Sequence, residues 1–473
     1  VGGAFAVLLC RCTEQRSLLI SHPPTSGGEA GLAGTAGNSG STNGGTTSSG
    51  GTTSNAGSAG TLGISGAGPV TPAVATAIDE RPIGGASLNG GTTGGGTYAE
   101  SLALGRLHYV DSVDELRALI RSEDPAVLLI AEGTYTFATT PKAVSVCDQA
   151  CEPATPLAQQ IAIAAYCNNG ETRYEISDTH EFLRFGSHKT LIGLGKGAVF
   201  QNAMISLSNV SNIIIRNLTI ENVGSNVNGL GYGINLWPGD HVWVDRTTFR
   251  NIGKGYFNIM SSLDGTTGQT IVETGYITIT RCHFDGKVDG VCTQRSPSTL
   301  GTNQNPAVTL AYNWFHGSSR YNAFLFGPST WGHAFNNLWT NIDRQGLGVA
   351  CGSTGLLQGN VFESTTSAIF NSDSGAGSYP FCAAGNFGKL YAPMSTGTDE
   401  DNVVDGNSTL ALGGQPTDGT GLVKPIRRTS HTFSLTTPTK GGTSTETYEA
   451  TLIADPSTVA ARVKAEAGAG TLF

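Results

Sequence analysis

Charge is scarce in this sequence. Asp, Glu, Lys and Arg make up 13% of the 473 residues and sum to a formal −9. A chain this acidic has no general affinity for polyanions, which argues against nucleic acid as its partner, although a local basic cleft can still hold an anionic polymer. No paired C-x-x-C occurs and the histidines are scattered, so the usual zinc spacings are absent. No apolar run approaches the ~20 residues that span a bilayer. There is no G-x-S-x-G elbow to carry a serine nucleophile. No two aspartates are adjacent, which disfavours a hydrolase built on closely placed carboxylates. Gly193-Leu-Gly-Lys-Gly-Ala198 has the look of a phosphate loop, but the residues after it read as strand and not as helix, so it is a turn.

Glycine, by contrast, is abundant, with 66 residues. Much of it falls in 27–68 among Ser, Thr, Ala and Asn, a composition that cannot bury enough apolar surface to offset its ordering entropy. With the polar stretch 89–97, the reading is a disordered linker over 27–97 and a folded domain over 98–473. Residues 1–26 contain a short apolar segment ending in Leu8-Leu9-Cys10. It reads as the end of a truncated signal or lipoprotein segment, or equally as a frayed start. Cys147, Cys151 and Cys167 crowd one region, which suits an oxidising, extracellular compartment. With Cys282, Cys292, Cys351 and Cys382 the body holds an odd number of cysteines, so at least one thiol is free.

Within the domain, 111–121 reads as an amphipathic helix with Ser112 and Glu115 as a capping box. Beyond Phe182 short β-branched runs recur, as in 189–192, 212–215, 241–244, 276–279 and 307–310. Their spacing of roughly 20–35 residues is that of stacked solenoid coils. Asn217, Asn313, Asn337 and Asn360 follow such runs and suit left-handed corners. A second helix over 457–467 would cover the far end of the solenoid, as the first covers the near end. Trp243, Trp314, Trp331 and Trp339 read first as packing residues and second as sugar-stacking ones.

Seven segments, in order, resemble coils of the pectate/pectin lyase family of polysaccharide lyases, over about 104–470. They are Ser187–Gly195, Asn212–Leu218, Val242–Arg246, Ile277–Thr280 with Lys287 downstream, Val308–Phe315, Arg320, and His333–Asn337. The resemblance implies an all-β, right-handed parallel β-helix with short capping helices. It also implies β-elimination on a uronic acid polymer such as polygalacturonate or methylated pectin. The proton removed lies α to a carboxylate and is weakly acidic. The reaction therefore needs a base and a cation that stabilises the developing enolate.

By the same resemblance, Arg320 is the base and Lys287 the carboxylate stabiliser. Asp245 is the first of the family's calcium carboxylates. The coil that should supply further acids reads Lys254 to Ile259, with Lys254 and Asn258 at the acid positions. Calcium needs several oxygen ligands. The cofactor is therefore either Ca²⁺ or none, with Lys254 standing in for the metal. Arg246 and Arg295 join Lys254 as expected substrate-binding cations, while Leu325 replaces a family arginine. The expectation is a monomeric lyase, secreted or held at a bacterial surface by lipid on Cys10. The competing expectation, from a different class, is an inert β-helix module that binds glycans.

Overall fold

The computed structural model describes residues 70–138, the strands Ala143–Cys147 and Arg173–Ser177, and most of 180–473, leaving out among others 224–230, 253–254, 287–299, 319–321, 373–384 and 413–431. The chain winds through successive coils, each adding one strand to each of three parallel sheets. Sheet A contains Lys189–Gly193, Val210–Arg216, Gly239–Asp245, Gly275–Thr280, Val308–Ala311 and Trp331–Phe335 in that order, with further strands on both sides. Sheet B stacks Leu218–Val223, Thr248–Ile252, His283–Asp285 and Trp314–His316. Sheet C stacks Tyr232–Leu236, Gly255–Met260, Leu300–Asn303 and Ala323–Phe326. The strands Leu338–Ala350 and Val361–Ser372 run through both B and C, which shows that these two sheets meet along one edge. A parallel pairing forces a crossover between neighbouring strands, and such crossovers are right-handed. The fold is a right-handed parallel β-helix.

Alternation places one side of each strand inside. Ile213, Ile215, Val242, Val244, Ile277 and Ile279 of sheet A meet Phe249 and Phe284 of sheet B and Ile234, Phe257 and Ile259 of sheet C in one buried core. Phe249, Phe284, Phe315, Trp339 and Phe362 sit at matching positions on successive coils and stack at 4.5–5.2 Å. The helix Val113–Arg121 caps the near end. Ser112 accepts from the Glu115 amide at 3.4 Å, and Leu116 and Ile120 enter the core.

The corner from sheet A to sheet B is a single left-handed residue on six successive coils. It is Asn217, Arg246, Arg281, Tyr312, Asn336 and Gly359, with φ between 46° and 59°. Of the four expected corner asparagines only Asn217 takes this conformation. Asn313, Asn337 and Asn360 come one residue later and do something else. Asn313 accepts from the Cys282 backbone N–H, and Asn337, Asn360 and Asn402 each accept from the backbone N–H and side-chain amide of the asparagine one coil before.

Two further expectations are corrected. Residues 70–97 are not linker: Pro72–Asp79 is a helix, and the segment lies as a strap across the outer surface of sheet A. Gly85, Ala86 and Gly95 donate their backbone N–H groups to the outward hydroxyls of Thr309, Thr278 and Thr190 at 2.9–3.0 Å. The helix Val459–Glu466 does not close the far end. Val459 and Val463 pack beside Tyr312, Phe335 and Leu338, outside the A–B corner. The tail beyond it continues along that corner, where Ala469 N–H donates to Thr248 Oγ1 at 2.9 Å and Gly470 N–H to Asn217 Oδ1 at 2.6 Å. Residues 1–69, with the expected signal or lipoprotein segment and most of the expected linker, lie outside the described residues. Cys282 is a buried free thiol, as the odd count requires.

Candidate active site

The strap covers sheet A and the tail covers the A–B corner. The outer surface of sheet C, with the edge where B passes into C, is the side these two segments leave. Lys254, Lys287, Arg295 and Arg320 lie outside the described residues, but the chain on either side of each is described. Lys254 joins Thr248–Ile252 to Gly255–Met260, Lys287 and Arg295 fall between His283–Asp285 and Leu300–Asn303, and Arg320 falls between Trp314–His316 and Ala323–Phe326. The flanking strands pair directly with one another in both sheets. The three connections therefore belong to three successive coils and leave B for C at one edge. The coil repeat is about 4.8 Å.

Asp245 and Arg246 are elsewhere, at the A–B corner. Asp245 points outward from sheet A and is fully buried beneath the strap. Arg216 donates to its Oδ2 through Nη2 at 2.7 Å and Nε at 3.1 Å, and Arg246 does so through Nη1 at 2.6 Å. Oδ1 takes the Thr280 hydroxyl at 2.8 Å and Arg281 at 3.4 Å. Arg216 also reaches Glu80 at 2.5 Å and the Ala77 carbonyl at 2.6 Å, and lies over the Trp243 ring at 4.5 Å. Burial by itself would raise the Asp245 pKa. The charges of Arg216, Arg246 and Arg281 and the Thr280 hydroxyl outweigh it and hold the group below its ordinary value.

Three guanidinium groups and a hydroxyl surround this carboxylate, an environment that does not suit the calcium ligand expected of Asp245. Arg246, which spends its charge on Asp245, is likewise not brought to the edge where Lys254, Lys287 and Arg320 belong. Among the described residues no three His, Cys, Asp or Glu side chains converge as a metal site.

The outward row of sheet C is uncharged at its centre. Ser206, Asn235, Asn258, Gly301 and Phe324 are in register on consecutive coils. Asn258 Nδ2 donates to Asn235 Oδ1 at 2.7 Å. An amide pair stands here, with no acid in these positions, so the row does not fit calcium. Leu325 faces the other way. It is buried in the interior core, where an arginine would leave its charge unpaired. The outward neighbours on its strand are Phe324 and Phe326, which pack together at 5.5 Å.

Of the tryptophans singled out by sequence, Trp243 and Trp339 are buried. Trp314 stacks on His283 at 4.3 Å on the outside of sheet B, and Trp331 packs against Tyr448. Sequence reasoning passed over Trp237, which is 46% exposed. The signal available for it was its place in Trp237-Pro-Gly239, a turn following a strand.

A sequence model described as pectate lyase matches residues 157–398. A probable pectin lyase F of Aspergillus flavus is 27% identical over 314 residues, covering 64% of this chain and 68% of its own. A probable pectin lyase E of Aspergillus niger is 25% identical over 289 residues, covering 59% of this chain and 72% of its own. Among solved structures, the pectate lyase from Paenibacillus sp. 0602 superposes with a TM-score of 0.49 at 16% identity, covering 83% of this chain and 97% of that one. With half of its length matched by the family's sequence pattern and its coils wound as a parallel β-helix, this chain belongs to the pectate lyase family of polysaccharide lyases.

Proposed function

We propose that the protein is a secreted lyase that cleaves a pectin-like polymer, preferentially a methyl-esterified one, without a bound metal. The reading rests on the strand register that brings the connections carrying Lys254, Lys287 and Arg320 to one edge on successive coils. Arg320, as base, takes the proton from the carbon α to the carboxyl group. The electron pair forms the new carbon–carbon double bond, the glycosidic oxygen on the β carbon departs with the bonding pair, and it is protonated from solvent. Lys287 stabilises the carboxylate or ester oxygen as it gains enolate character. Lys254 supplies the fixed positive charge that a metal would otherwise give, and Arg295 adds to the local field. An arginine is protonated at ordinary pH. Activity is therefore expected to rise towards alkaline pH, where a larger share of the guanidine is neutral.

Two features support the esterified substrate. Asn258, at the position of a family acid, is a buried amide paired with Asn235 on the outer side of sheet C, and the side chain of Leu325 lies inside the core. The test is the ultraviolet absorbance of unsaturated product from polygalacturonate and from methylated pectin, each with calcium and with a chelator. Product from methylated pectin in chelator, abolished by Arg320→Ala, is the expected result. A strict calcium requirement would overturn the metal-free reading. Absence of product from either polymer would favour a glycan-binding module.

A further inference from the structure

We propose that Trp237 is a sugar-stacking residue of this lyase and helps determine its specificity, by holding an uncharged or esterified ring on the N-terminal side of Arg320. The inference rests on the functional reading above. It is carried by the position of one side chain. In Tyr232–Leu236 the side chains of Ile234 and Leu236 enter the core, so Asn235 is on the outer side of sheet C, and Trp237 follows directly in the turn that leaves the strand. Trp237 is the exposed tryptophan among the described residues, at 46%, whereas the other four are buried or half-buried.

Its backbone is held firmly. Pro238 fixes the next φ and accepts from the Asn209 amide at 2.6 Å. The Gly239 amide donates to Thr274 Oγ1 at 3.2 Å, and a Cβ on Gly239 would lie 2.7 Å from the Leu207 carbonyl. A large apolar ring is thus presented to solvent from a rigid turn, which lowers the entropy lost when something packs on it.

The surroundings name the ligand class. Ser206 and Ser208 lie half-buried on the preceding coil, with their hydroxyls 3.4 Å apart, and the buried Asn235–Asn258 amide pair lies beside them. These groups are neutral donors and acceptors, suited to hydroxyls and esters, beside an aromatic face suited to the C–H side of a pyranose. The coil of Trp237 precedes that of Arg320 by three strands of sheet C, a separation of roughly 14 Å along the solenoid at the usual strand spacing. It stands where sheet C turns into sheet A, at the other end of the sheet C strands from the B–C connections.

Two measurements test this on the full chain. Trp237→Ala should raise KM for methylated pectin about tenfold, the size expected of one aromatic contact, with the loss in KM rather than kcat. Trp237→Phe should restore most of it. In the Arg320→Ala background, a methyl-esterified oligogalacturonide should quench tryptophan emission, and adding Trp237→Ala should weaken that binding by a similar factor. An unchanged KM and an unchanged affinity in the Ala variant would overturn the inference while leaving the lyase reading intact. A wild-type protein that forms no unsaturated product, yet loses oligosaccharide binding on Trp237→Ala, would keep the stacking role and discard the lyase reading.

Discussion

Nε2 of His241 lies 3.0 Å from the backbone carbonyl of Asn89, joining sheet A to the strap that crosses it. The opposite ring nitrogen, Nδ1, lies 2.9 Å from Asp240 Oδ2, and the ring stacks on Tyr276 at 4.8 Å. Both partners are acceptors, so both contacts are hydrogen bonds only when both nitrogens carry protons. Burial alone would lower the His241 pKa, but the hydrogen bond and charge of Asp240, with the Asn89 carbonyl, outweigh it and raise the group above its ordinary value of about 6.5. A raised folded pKa gives stability that is fully present below the unfolded value and is lost as pH rises through the folded one. Cleavage within 80–97 by a protease should therefore accelerate as pH rises through the neutral range. His241→Gln, which keeps one donor and no titration, should flatten that dependence. An equally steep profile in the variant would count against the strap contact as its source.

The strap depends on close backbone approach at Gly85. A Cβ there would lie 2.9 Å from both the Ala307 and Ile277 carbonyl oxygens, neither of which can retreat without breaking sheet A. Gly85→Ala should lift this part of the strap and cost about 1–3 kcal/mol, the range for overpacking. Hydrogen exchange should report faster exchange at Gly85 and Ala86, with little change in the interior strands.

Asp245 balances a cluster of buried and half-buried cations. Asp245→Asn would leave the fully buried Arg216 with the more exposed Glu80 as its carboxylate partner, and destabilisation by about 3–5 kcal/mol is expected. The folded pKa of Asp245 is depressed, so its contribution is present above the unfolded pKa and is lost as pH falls through the folded one. Denaturant midpoints should converge for wild type and variant in strong acid. Calcium affinity should not differ between the two proteins, and a calcium-binding defect in the variant would restore the ligand role that the geometry denies.

The asparagine ladder makes a separate prediction. Asn337 accepts from the Asn313 amide at 3.0 Å and donates to the Leu310 carbonyl at 2.9 Å. Asn337→Ala would orphan these buried groups, at roughly 1–3 kcal/mol for each. Asn337→Asp keeps the acceptor but buries a charge, and should be no better. Thermal melts that leave either variant within 1 °C of wild type would show that the rungs relax independently.

The β-branched runs at 189–192 and 276–279 were legible as strands, because a solenoid buries one side of every coil and repeats the pattern. The helix Val113–Arg121 was legible from its cap and its apolar stripe. Trp237 was passed over, and only its place in the Trp237-Pro-Gly239 turn set it apart from Trp243, which is buried within the next strand. The guanidinium surroundings of Asp245 were not legible for a related reason: a motif names a residue but not what encloses it. Composition also hid the strap, whose glycines read as linker although they are what lets a backbone lie flat on sheet A.

The sequence by itself determined the coil repeat, the parallel β-helix and the family, because each follows from periodic burial and from short motifs in order. Tertiary structure decided which corner each motif occupies. It sent Asp245 and Arg246 to the A–B corner under the strap and Trp237 to the open side of sheet C, and it gathered the connections bearing Lys254, Lys287 and Arg320 along one edge. The reason is physical. Local pattern fixes which way a side chain points from its strand, but only the stacking register across dozens of residues fixes what stands opposite it.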